Sequence, residues 1–187
     1  MSIRKALIAT TVGFFLAQAA TAQVFVIGGG LGSDCFQQTQ LKYGAFTRAD
    51  KTCTRALREE AMTRDNRAAT YVNRGVLRMR NGRYDSALAD YAQAINLKPE
   101  LGAAYLNEGA ARIYKKDYAS AIAPLDRAIA LKSDDIFAAY YNRAIARENI
   151  GDVPGAYDDF RTALELKPGW ELVESQLSRF IVEPAEG

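Results

Sequence analysis

From residue 68 onward, large and small apolar residues return along the chain on a fixed beat. The segments 68–101, 102–136 and 137–170 align with one another, the first and third having 34 residues and the middle one 35. Tyr71, Tyr105 and Tyr140 stand at the fourth position, Gly75, Gly109 and Ala144 at the eighth. Ala87, Ala121 and Ala156 fill the twentieth position, Tyr91, Leu125 and Phe160 the twenty-fourth, and Ala94, Ala128 and Ala163 the twenty-seventh. Positions 4, 8 and 11 share one helical face, and 20, 24 and 27 share a face of the next helix. Small residues at 8, 20 and 27 let two helices approach closely, and the large ones at 4 and 24 fill the space that remains.

Punctuation falls where that reading needs it. Asn81-Gly82 and Ile150-Gly151-Asp152 supply turns between paired helices, with Asp152 placed as an N-cap before Pro154. Pro99 and Pro168 close the first and third segments, with Ser133 standing in the middle one. The extra residue of the middle segment falls in Ser133-Asp134-Asp135, where an insertion costs little. Pro124 breaks the local rule, lying about two turns into a helix that begins near Tyr118, and predicts a kink or a hydrogen-bond defect.

Six repeating columns in three consecutive units resemble the tetratricopeptide-repeat (TPR) family over residues 68–170. That signature has a large residue at four, small residues at eight, twenty and twenty-seven, an aromatic at twenty-four and proline at thirty-two. One column departs: position eleven, usually tyrosine in the family, is Arg78, Arg112 and Arg147. The resemblance implies an all-α, right-handed α-α superhelix, in which each helical pair leaves an apolar side for its neighbour to cover.

The flanks read as ends of the same stack. Ala49, Cys53 and Ala56 reproduce the 20, 24, 27 spacing, so residues 34–66 read as a degenerate leading hairpin, its helices near 34–42 and 46–62. Val173, Leu177, Phe180 and Ile181 make one apolar stripe, predicting a capping helix over 171–183 with Trp170 against it.

The N-terminus reads as an export signal over residues 1–22. Arg4 and Lys5 precede an apolar run over 6–17, and Ala20-Thr21-Ala22 invites cleavage before Gln23. The run is shorter than the roughly 20 residues that span a bilayer. The rival reading is an uncleaved anchor extended through residues 24–27, a run that Gln18, Thr21 and Gln23 interrupt. Gly32-Ser33-Asp34 before Cys35 does not resemble a lipobox. Residues 23–33 read as a flexible segment, since Gly28-Gly29-Gly30-Leu31-Gly32 lacks dinucleotide-loop spacing and no βαβ unit follows.

Charge and cysteine content sharpen that picture. The chain has 24 basic and 22 acidic residues, so loss of Arg4 and Lys5 with the signal leaves a neutral protein, a poor binder of nucleic acid or anionic lipid. The two cysteines, Cys35 and Cys53, suit a disulfide in an oxidising periplasm, against the alternative of two separate buried thiols. With no histidine in the chain, the commonest general base and metal ligand are missing, and no cofactor, metal or catalytic residue is expected.

In the TPR family, ligands lie on the concave surface formed by the first helix of each repeat. The resemblance implies a groove of Val72, Asn73, Val76, Met79 and Arg80 in the first repeat and Leu106, Asn107, Ala110, Ile113 and Tyr114 in the second. The third contributes Tyr141, Asn142, Ile145, Glu148 and Asn149. Asparagine recurs once per repeat, so Asn73, Asn107 and Asn142 form a candidate ladder that donates to and accepts from an extended peptide backbone. The alternative is that they satisfy local backbone groups. The family's clamp for a C-terminal carboxylate is missing, because Val72, Val76 and Ala138 replace its lysine, asparagine and lysine and only Asn107 fits. The arginine column reads as structural, with Asp90 and Asp159 as candidate partners. The expected function is non-enzymatic binding of a protein or peptide in a bacterial envelope; the alternatives are self-assembly by repeat stacking, and an enzyme or small-molecule receptor.

Overall fold

The computed structural model describes residues 2–5, 19–41, 46–132 and 135–183. The 6–17 run of the expected signal and the Ser133-Asp134 insertion lie outside the described residues. Among those described, the chain forms helices α1 (Leu31–Thr39), α2 (Phe46–Glu59), α3 (Arg64–Arg80), α4 (Tyr84–Leu97), α5 (Gly102–Tyr114), α6 (Tyr118–Ala130), α7 (Ile136–Asn149), α8 (Val153–Leu166) and α9 (Glu171–Leu177). Each odd helix packs on the even helix that follows, and each hairpin packs on the next. The odd helices also touch in sequence, α1 to α3, α3 to α5 and α5 to α7, and so form one continuous layer. The fold is an all-α helical-repeat solenoid.

The small-residue columns do what the spacing requires. Gly75 and Gly109 lie so close to Tyr91 and to Leu125 that a Cβ at either position would run into the facing side chain. Ala144 takes the equivalent place in α7, fully buried, as are Tyr91, Leu125 and Phe160. The turn inside each hairpin places its fifteenth residue at positive φ: Gly82 at 70°, Lys116 at 62° and Gly151 at 90°. There the N–H of the next residue returns to the helix, Arg83 to the Arg78 carbonyl, Asp117 to that of Arg112 and Asp152 to that of Arg147, each at 2.9 Å. Asp152 also caps α8, its Oδ1 accepting from the Gly155 N–H at 3.0 Å.

The arginine column is structural. Arg78 pairs with Asp90 at 2.8 Å and with Asp50 at 3.2 Å, and Arg147 with Asp159 at 3.0 Å. Arg112 pairs with Glu108 on its own helix at 2.8 Å and with Asp117 just beyond it at 3.5 Å. A second column, at position seven, completes these clusters: Arg74 and Arg143 each hold the same aspartates at 2.6 Å. Burial pushes the Asp90 carboxyl above its usual range, against the pull of Arg74 and Arg78. The middle repeat replaces both partners at once, with Glu108 at position seven and Pro124 where the aspartate would stand. Helix α6 remains helical from Tyr118 to Ala130 across Pro124, whose ring nitrogen has no hydrogen to give to Ser120.

At the N-terminal end, Cys35 on α1 and Cys53 on α2 form a disulfide with a Cα–Cα distance of 4.7 Å. Helix α1 starts at Leu31, three residues before the sequence-based estimate, because residues 31–33 already contribute to it. At the other end the expected capping helix is shorter than its apolar stripe. It stops at Leu177, and Phe180–Glu183 is an extended strand, β2, antiparallel to β1 (Ser2–Lys5). An extended chain alternates its side chains, so Phe180 is buried while Ile181 is 41% exposed. Trp170 precedes α9 and packs on α7, 5.4 Å from the Phe137 ring and 4.9 Å from Tyr141.

Candidate functional site

The layer of odd helices forms the groove, and the asparagines face into it. Asn73, Asn107 and Asn142 are fully buried on α3, α5 and α7. A buried amide needs partners for both its ends. Each finds them in residues 19–27, which lie across the odd helices without helical or sheet structure of their own. The Ala20 N–H donates to Asn142 Oδ1 at 2.8 Å, and Asn142 Nδ2 donates to the Ala20 carbonyl at 2.7 Å. Asn107 holds Ala22 in the same way at 2.9 and 2.6 Å, and Asn73 holds Val24 at 3.0 and 2.6 Å. The segment therefore runs against the order of the repeats and advances two residues per repeat.

This pairing depends on backbone alone. Two residues of extended chain cover roughly 6.5 Å, and one asparagine amide meets the chain at each such step. The N–H and the carbonyl of the same residue are both engaged, so a proline at positions 20, 22 or 24 would lose the bond it should donate. The alternative in which the asparagines serve their own helices is not what the structure shows.

Side chains of the segment are taken up unequally. Ala22 is 2% exposed and Ala19 6%, both in the same core cluster as Val72, Met79, Leu106, Ala110, Ile113, Tyr141 and Ile145. Val26 is buried, and Phe25 sets its ring edge-on to Phe36 of α1 at 5.2 Å. Beside Ala19, Ala20 and Thr21 a cleft of about 540 Å³ remains, lined by Val76, Met79, Arg80, Gly82, Tyr84, Tyr114 and Leu172. Tyr114 stacks on Tyr84 with centroids 5.6 Å apart and sends its hydroxyl toward the Ala19 carbonyl at 3.5 Å. Burial, with Tyr84 beside it, raises the Tyr114 phenol above its ordinary range.

Three of the residues expected in the groove also have partners outside the segment. Arg80 donates to the Thr39 carbonyl at 2.7 Å, tying α3 to the end of α1. Glu148 pairs with Arg179 at 2.9 Å, and Asn149 returns its amide to the Ile145 carbonyl at 2.8 Å. One further asparagine does join the ladder. Asn66, seven residues before Asn73 on α3, accepts from the Ile27 N–H at 3.2 Å and donates to its carbonyl at 2.7 Å. Its signal was the two-turn spacing from Asn73, which returns a residue to nearly the same helix face.

Among the described residues no group of three or more histidine, cysteine, aspartate and glutamate side chains is placed to hold a metal ion. Nor is any helix of the described residues long and apolar enough to cross a membrane.

Comparisons agree with the helical-repeat fold. Residues 68–101 match the family model of the tetratricopeptide repeat. Among curated proteins, none matches this chain. The crystal structure of MamA is similar at 21% identity, covering 81% of this chain and 82% of MamA with a TM-score of 0.65. The second TPR domain of human RPAP3, solved in complex with an HSP70 peptide, is similar at 27% identity, covering 58% of this chain and 89% of that domain with a TM-score of 0.55. The first TPR of Spaghetti (RPAP3), bound to an HSP90 peptide, is similar at 24% identity over 61% of this chain and 90% of that one, with a TM-score of 0.59. The chain thus carries a tetratricopeptide repeat at residues 68–101 within a TPR-like helical-repeat fold.

Proposed function

We propose that this protein is a non-catalytic interaction scaffold of the bacterial envelope, which binds an extended segment of a partner protein along the groove formed by α3, α5 and α7. The observation that carries the reading is the asparagine ladder: three buried amides, one per repeat, each engaging both backbone groups of one residue in an extended chain. Such a surface recognises a strand as a strand. That an RPAP3 domain of similar fold was solved in complex with a peptide supports a peptide or protein as the ligand. The envelope is supported by the A-x-A pattern ending at Ala22 and by the Cys35–Cys53 disulfide.

Site-specific photo-crosslinking in cells tests this. Leu106 is fully buried, so the probe belongs at Tyr114 on the groove rim, 37% exposed, with exposed Gln93 of α4 as control. A discrete partner captured from position 114 and not from 93 is the expected result. Equal labelling from both positions would move the binding surface elsewhere, and capture of a second copy of the chain would favour self-assembly. N-terminal sequencing of the chain recovered from the envelope should begin at Gln23; an intact N-terminus would remove the cleaved-signal reading.

A further inference from the structure

The segment in the groove and the expected cleavage site are the same residues. Ala22 is 2% exposed, and both its backbone groups are bonded to Asn107. The Ala22–Gln23 amide therefore cannot be handed to a peptidase while seated, and a chain cut there cannot keep its seat intact. Hydrolysis adds one water across that amide, leaving a carboxylate on Ala22 and an ammonium on Gln23. The consequences for the two sides of the cut differ. Downstream, Val24 stays tethered on Asn73 and Ile27 on Asn66, next to the covalently linked α1. Upstream, residues 19–22 lose their connection to α1 and keep only the attachment through β1, which pairs with β2 and packs on α8, so that their local concentration over the groove falls. Their departure uncovers both ends of Asn107 and of Asn142, among Leu106, Ala110 and Ile145, where unpaired polar groups are costly.

We propose that residues 19–24 are an internal occupant of the groove, that hydrolysis of the Ala22–Gln23 bond opens the part over α5 and α7, and that this part then takes an extended segment of a partner protein in trans. This rests on the peptide-groove reading above. The seated segment defines the ligand's chemistry: extended backbone, no proline at the two residues facing Asn107 and Asn142, and a small side chain at the position of Ala22. The contacts of Ala20 and Ala22 are to the amides of Asn142 and Asn107 among apolar side chains, and Arg80 lines the cleft beside Ala19, Ala20 and Thr21.

Binding of a labelled peptide with the sequence of residues 19–27 to the full-length chain tests the proposal by fluorescence anisotropy. Ala22→Trp removes the fit of the internal segment and leaves every groove residue intact; Ala22→Pro removes the N–H that Asn107 accepts, with little added bulk. Both variants, and the chain cut after Ala22, should bind the peptide about 100-fold more tightly than the uncut wild type, as for a tethered competitor at ~1 mM against an intrinsic Kd of ~10 µM. Adding Asn107→Ala to Ala22→Pro should abolish that gain. Equal affinity for wild type, variants and cut chain would overturn internal occupancy while leaving the groove reading in place. No binding to any form that keeps its helical circular dichroism would overturn the ligand chemistry, and the Tyr114 capture would still report on the groove. A peptide-reversible dimer of the Ala22 variants would overturn the choice of occupant in favour of a second copy.

Discussion

Asn107 and Ala22 are 85 positions apart in sequence and share two hydrogen bonds, of 2.9 and 2.6 Å, in a wholly buried setting. Neither residue has an equivalent partner within its own element. Asn107→Ala leaves the Ala22 N–H and carbonyl unpaired at a cost of about 1–3 kcal/mol. Hydrogen exchange should show the Ala22 amide exchanging about 10- to 100-fold faster in that variant, while Ile27, held by Asn66, keeps its protection. Unchanged exchange at Ala22 would mean that the segment is not seated by Asn107.

Gly75→Ala is expected to destabilise the protein by about 1–3 kcal/mol, because the new Cβ meets the Tyr91 ring in the fully buried α3–α4 contact. Thermal unfolding should show this as a lower Tm. Gly29→Ala serves as the control, since a Cβ there meets nothing within 4 Å.

Asp90→Ala should cost about 3 kcal/mol, since it leaves Arg74 and Arg78 without their shared buried carboxylate. Denaturant titration would read this as a lower midpoint. A loss below 1 kcal/mol would show that Asp50 alone satisfies Arg78.

Lys116→Gly should stabilise the protein by about 1 kcal/mol, because Lys116 sits at a φ of 62° where the equivalent turns of the other two repeats use Gly82 and Gly151. A fall in Tm would instead show that the lysine side chain contributes a contact worth more than the backbone strain.

Reducing the Cys35–Cys53 bridge should cost roughly 3 kcal/mol, given the 18-residue separation it closes. The loss should appear first as faster exchange in α1 and α2, with α7 and α8 little affected, because a repeat stack transmits stability mainly between neighbours. Uniform destabilisation of all helices would show a more cooperative fold.

Much of this was legible because the repeat states its own rule three times. Tyr91, Leu125 and Phe160 are buried where their column places them, and Gly75 and Gly109 stand under the large residues that need the room. Two of the three arginines of position eleven, Arg78 and Arg147, pair with Asp90 and Asp159 as the spacing suggested. The partners at position seven, Arg74 and Arg143, were missed because Glu108 interrupts that column. Seen with Pro124, the interruption is a paired change: the middle repeat lacks both the arginine of position seven and the aspartate that faces it in the other two. The C-terminal stripe misled for a different reason. Residues spaced for a helix also suit a strand over short stretches, and the pairing of Phe180–Glu183 with Ser2–Lys5 depends on a segment remote in sequence.

By itself, the sequence determined the helical hairpins, their tight seams and the recurring asparagines, because each depends on spacing within a few turns of one chain segment. Only the tertiary structure decided what those asparagines hold. Backbone hydrogen bonding carries no residue code, so nothing in Ala20, Ala22 or Val24 announces a partner on α7, α5 or α3. Stacking the hairpins lines up three amides at the step of an extended chain, and that alignment exists only once the repeats are folded together.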